Sequence, residues 1–144
     1  METHIYYIVI RRSNQLLLNF LKLNVIVNNK DIYPLLNDEP VLVPVSTTKP
    51  VLVATDGFHH SKPLRLLYKE PGYCTVYVTC RIENAQLWVA ASLLVFLYFS
   101  GFLMDVLFLK IMSFVPILIV LFAYYINRKD FIKLVPVQSI VGSQ

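Results

Sequence analysis

Ala85–Ile126, AQLWVAASLLVFLYFSGFLMDVLFLKIMSFVPILIVLFAYYI, holds only two charges in 42 residues, Asp105 and Lys110. They divide it into uncharged runs of 19 residues (Gln86–Met104) and 16 residues (Ile111–Ile126). At ~1.5 Å per residue the first run reaches about 28 Å as a helix, close to the ~30 Å hydrocarbon thickness of a bilayer. The stretch therefore reads as a transmembrane hairpin of two helices, about 86–104 and 108–127. A charge at mid-bilayer costs at least ~2.5 kcal/mol on insertion scales. Asp105 and Lys110 thus mark a turn at the far surface, with Lys110 snorkelling. Pro116 is expected to kink the second helix. Ser92, Ser100, Gly101 and Ser113 are expected to let the two helices approach closely.

The near surface is marked independently. Asn84 is a suitable N-cap for the first helix. Trp88 lies just inside it, and Tyr124 and Tyr125 lie at the end of the second run, so a hairpin brings all three to one interface as an aromatic belt. Arg128 and Lys129 follow directly, and Arg81 stands just before the first helix. Positive charge collects on the side that holds both termini, which the positive-inside rule makes cytoplasmic. METHIYYIVIRR has an acidic residue where a signal peptide carries basic ones, and its arginines follow the apolar run. The expectation is a cell (inner) membrane protein with a cytoplasmic domain over 1–84, a hairpin over 85–127 and a cytoplasmic tail over 128–144.

Before the hairpin the dominant period is two, which signals β-structure. Ile5–Arg12 and Leu16–Val27 read as strands, and Asn28-Asn29 as a tight hairpin turn, since Asn tolerates positive φ. Val41–Val45 carries Pro44 and so belongs at a sheet edge or bulge. Val51–Thr55 is a further strand, Asp56-Gly57 a turn, and Leu64–Lys69 a strand with one wet face. Glu70-Pro71-Gly72 fits a turn. Tyr73–Ile82 alternates most cleanly, with Cys74, Val76, Val78, Cys80 and Ile82 inward. The two cysteines lie about 20 Å apart on a straight strand, beyond disulfide reach, and read as core residues in a reducing compartment. Six to eight short strands at this spacing predict an all-β N-terminal sandwich. The tail, with Phe131, Ile132, Leu134, Val135 and Val137, either lies along the interface or adds an edge strand, an option Pro136 limits.

Chemistry is sparse. The net charge of +4 comes from small excesses in several places, with no basic cluster to hold nucleic acid. His59-His60, with His4 far away, lacks metal-ligand spacing and reads as solvated loop histidines. Four glycines make no phosphate-cradling loop. Cys74 and Cys80, facing inward, make poor nucleophiles. No enzyme, cofactor or metal is expected.

IVNNKDI (Ile26–Ile32), VLVPV (Val41–Val45), VLVATDGFHHSKPLRL (Val51–Leu66), YCTVYVTC (Tyr73–Cys80) and the tail FIKLVPV (Phe131–Val137) together resemble a family of small bacterial membrane proteins. In that family a PEGA-like β-sandwich precedes one or two transmembrane helices. Ser46–Lys49 stands where PEGA-like chains usually carry Pro-Gly. The resemblance implies a fold and no catalytic residue. The expected role is non-enzymatic: a β-domain held at the membrane as an interaction module, with Tyr73, Tyr77 and Arg81 as candidate contacts for lipid or partner. Its expected partners are the lipid bilayer and either another protein or a second copy. The alternative is a small toxin-immunity-type protein that acts through its helices.

Overall fold

A computed structural model of the chain describes residues 5–68 and 72–137. His4 and the Glu70-Pro71 part of the expected turn lie outside them. The chain divides into two compact units: the described parts of 1–81 and 129–144, and residues 82–128.

The first unit contains two four-stranded sheets. One has the order β4 (Val41–Val45), β1 (Tyr6–Arg12), β7 (Tyr73–Cys80), β8 (Ile132–Val137). The other has the order β3 (Asp31–Leu35), β2 (Leu23–Val27), β5 (Val51–Thr55), β6 (Leu64–Arg65). The first sheet is mixed, because β1 and β7 run parallel while β4 and β8 flank them antiparallel. The second is antiparallel throughout. Each buries one face, as period-two alternation requires. Ile8, Ile10, Val43, Val76, Val78 and Ile132 are buried from the first sheet, and Leu23, Val25, Val27, Leu52 and Ala54 from the second.

Several local details follow from the residues. Asn28 and Asn29 both adopt positive φ, 52° and 55°, and Lys30 N donates to Val27 O at 3.0 Å, giving the hairpin turn expected there. The single strand expected over Leu16–Val27 is instead a helical turn, α1 (Leu16–Asn19), followed by β2. Leucines unbranched at Cβ suit a helix as well as a strand. The Gln15 side-chain amide, moreover, bonds both the N–H and the C=O of Cys80, replacing the ladder that β1 would otherwise extend. The expected strand over Leu64–Lys69 pairs only at Leu64–Arg65, because Pro50 opposite it has no N–H to give. Leu66 and Tyr68 still donate to Pro50 O and Thr48 O, each at 3.0 Å.

The tail takes the sheet-edge placement. Ile132–Val137 pairs with β7 from Cys80↔Ile132 to Thr75↔Val137, and Pro136 is accommodated because β8 is the outermost strand. Arg81 N donates to Phe131 O at 2.8 Å, which carries the ladder one residue further.

The second unit consists of helices α2 (Asn84–Leu103), α3 (Leu107–Met112) and α4 (Val115–Ile126). Glu83, not Asn84, is the N-cap of α2. Glu83 and Gln86 form a reciprocal capping box, which satisfies two backbone donors where a lone Asn would satisfy one. The second helix, expected to be kinked, is interrupted for two residues between α3 and α4. Pro116 at the start of α4 has no N–H for the carbonyl four residues earlier, so the break falls at Ser113-Phe114. Ser113 is buried there, and its Oγ donates to Lys110 O at 2.6 Å.

Candidate functional site

Leu107–Ile126 forms one apolar stretch across the α3–α4 break. That span and α2 are each 20 residues, with mean hydropathies of 2.3 and 1.8, long and apolar enough to cross a membrane. Trp88, Val89, Leu93, Val95, Phe96, Tyr98, Phe99, Phe102 and Leu103 are all exposed along α2. Leaving a large apolar side chain in water forgoes about 1.5–3 kcal/mol. Nine of them together outweigh the ~5–15 kcal/mol net stability of a small domain. These side chains are suited to an apolar medium.

The turn between the helices is built by Asp105. Asp105 N donates to Phe102 O at 3.3 Å and Val106 N to Gly101 O at 2.9 Å, the paired bonds of a Schellman motif. Asp105 occupies the left-handed position usually given to glycine, with φ 50°. Its Oδ1 accepts from Lys110 Nζ at 3.0 Å. The two charges thus meet at the turn, as their sequence placement anticipates. Gly101 is buried, and a Cβ there would lie 2.9 Å from both Leu109 Cβ and Lys110 N. Of the small residues singled out in sequence, Gly101 sits at the helix contact and Ser113 at the break, while Ser92 faces outward.

Beyond the turn, α4 packs back against α2. Trp88, 66% exposed, lies in the second turn of α2. Tyr124 and Tyr125 lie in the last turn of α4, edge to face at 5.1 Å, and Arg128 Nε donates to Tyr125 O at 3.3 Å. Arg128 and Lys129 are exposed.

The β-domain candidates do not form one cluster. Tyr73 opens β7 and stacks on Tyr7 at 5.5 Å, Tyr77 is half-buried at mid-strand, and Arg81 is exposed just beyond the strand's far end.

His59 is the correction with the most consequence. Expected in solvent, it is fully buried, whereas His60 is exposed. The Asp56 carboxylate accepts from Phe58 N at 2.9 Å and His59 N at 2.6 Å, and its second oxygen lies 2.8 Å from His59 Nδ1. Gly57, at φ +92°, lets this loop fold back. The imidazole stacks on Phe131 at 4.5 Å. Adjacent residues alone gave no hint of this. The signal available was an Asp three residues before a His with a Gly between them. Burial acts to raise the Asp56 carboxyl, but the hydrogen bonds from His59 and Phe58 outweigh it and hold the group below the ordinary aspartate value.

An Asp–His pair beside Thr55 and Ser61 invites comparison with a nucleophilic triad. Both hydroxyls are committed elsewhere: Thr55 Oγ1 donates to His59 O at 2.7 Å, and Ser61 Oγ donates to Lys62 O at 3.2 Å while accepting from Ala54 N at 2.9 Å. The loop is a clasp on the returning chain, reinforced by Lys62 Nζ to Asp130 Oδ1 at 2.7 Å. Cys74 and Cys80 are buried and not joined in a disulfide, and burial pushes the Cys74 thiol up, away from thiolate chemistry. Among the described residues no three of His, Cys, Asp and Glu gather where they could hold a metal. Comparison with protein-family models, with curated proteins and with solved structures finds no match.

Proposed function

We propose that this protein is a non-enzymatic membrane-anchored module, its β-unit held at the cytoplasmic face of the cell membrane by α2–α4 and presenting a surface to a partner. One observation carries the reading. Cys80 and Ile132 are paired neighbours, and Arg81 bonds Phe131, so the chain leaves the sheet and returns to it at adjacent points. Whatever lies between must depart and come back on one side of a membrane. Two spans satisfy this and a single span does not. Packing of the two sheets as a PEGA-like sandwich belongs to the same proposal, supported by two four-stranded sheets that each bury one face. Arg81, Arg128 and Lys129 at the near ends of the helices favour the cytoplasm for this side.

The test is accessibility of single cysteines to an impermeant maleimide in intact cells and in inverted vesicles. Lys30→Cys in the β-unit should label only from the cytoplasmic side, and Leu107→Cys only from the other. Labelling of both from one side would sink the two-span arrangement. Action within the bilayer is the second reading, favoured by a groove along α2 lined by Trp88, Ser92, Val95, Phe96 and Phe99. It predicts that these side chains cross-link to another helix.

A further inference from the structure

We infer that one end of the β-unit is itself a membrane-docking surface, in which Phe20, Leu36 and Leu16 insert at the headgroup–acyl boundary of the bilayer that the helices span. The inference rests on the membrane reading of α2–α4 and names the partner of the β-unit as lipid. Three cross-ties define this end. Arg12, closing β1, donates from its guanidinium to Leu21 O at 2.9 Å and Leu35 O at 3.4 Å, joining the end of one sheet to the start of β2 and the end of β3 in the other. His59, in the loop after β5, stacks on Phe131 just before β8, and Lys62 pairs with Asp130. The ends of β1, β3, β5 and β7 and the starts of β2, β4 and β8 therefore converge, and the chain departs for α2 and returns from α4 here.

On this end stand side chains that a soluble surface does not favour. Phe20, closing α1, is 81% exposed, Leu36, following β3, 60%, and Leu16 40%. Asn84 is three residues beyond Arg81, and Phe131 five beyond Ile126, so the connections span at most about 10 Å and 18 Å. Tethers so short keep the end that carries Phe20 and Leu36 near the bilayer surface, and apolar tips there gain by entering the boundary. Lys22, Arg81 and Lys129 on this end face only Asp38 and Glu39 beyond the paired Lys62 and Asp130, so a small positive excess adds to an attraction that is chiefly apolar.

The test uses the full chain in phosphatidylcholine–phosphatidylglycerol nanodiscs, with and without doxyl lipid, the doxyl group near the headgroup for the β-unit labels and near the acyl-chain end for the label in α2. Single introduced cysteines carry the fluorophore NBD at Phe20→Cys, Leu36→Cys, Lys30→Cys in the opposite-end turn and Leu93→Cys in α2. Labels at 20 and 36 should shift to the blue and lose emission to the doxyl lipid, as the label at 93 does, while the label at 30 does neither. Quenching at 93 without quenching at 20 and 36 would overturn the docking surface and leave the spanning helices standing. No quenching at 93 would remove the membrane reading and the docking surface together. Equal quenching at 30 would also overturn it, since contact would not be specific to one end.

Discussion

Gly101 and Asp105 show how single residues set the helical pair. Gly101 is the only residue that fits where the start of the second span crosses α2, because a Cβ would sit 2.9 Å from backbone as well as side chain. Gly101→Ala should lower the stability of the full chain in detergent by about 1–3 kcal/mol, the usual cost of overpacking. Ser100→Ala, one position away, should leave the melting temperature nearly unchanged. Asp56 governs the other unit. Its carboxyl lies below the ordinary value in the folded chain, so the unfolded chain binds the extra proton more readily in acid. Its contribution to stability is therefore complete above the ordinary aspartate range near ~4 and is lost as pH falls through the lowered folded value. Asp56→Ala should cost about 1–3 kcal/mol at neutral pH by stranding the donors it serves, and should flatten the acid limb of a stability–pH profile. An unchanged acid limb would show that another carboxylate dominates there.

Among the elements, β8 alters the picture most. A unit cut at residue 84, as the sequence suggests, would lack the strand that covers β7 and the Phe131 that fills the clasp. Residues 1–82 alone should aggregate. The same residues joined to 129–137 by a short Asn-Gly turn in place of 83–128 should give a soluble β-rich unit by circular dichroism and elute as a monomer, because Cys80 and Ile132 already face each other across a ladder. The strand edges were partly legible. Pro44 marked β4 as an edge strand, whereas Pro136, read as limiting an edge strand, and Pro34 also lie in outermost strands, where no partner needs the proline N–H. Period-two alternation also announced β7 and the burial of both cysteines. The parallel pairing of β1 with β7 was not legible, because alternation tells which side chains are inward and says nothing of which strand lies alongside. Nor was the burial of His59, which depends on Phe131 far along the chain.

At the scale of the whole molecule, the helices are an insertion between two neighbouring strands of one sheet. That could not be read from a sequence in which the apolar block looks like a terminal appendage, although Asp105 and Lys110 marked its turn. The same insertion governs the order of events during synthesis. β8 leaves the ribosome after the helices that precede it in the chain. Sheet completion must therefore wait until the second span has been made, and the seat of Phe131 against His59 stays empty until then. In the proposed two-span arrangement, a hairpin that failed to return to its starting side would leave the β7 edge bare. Closure of the sheet is thus tied to completion of the helical insertion, since β8 can pair with β7 only after residues 82–128 have been made.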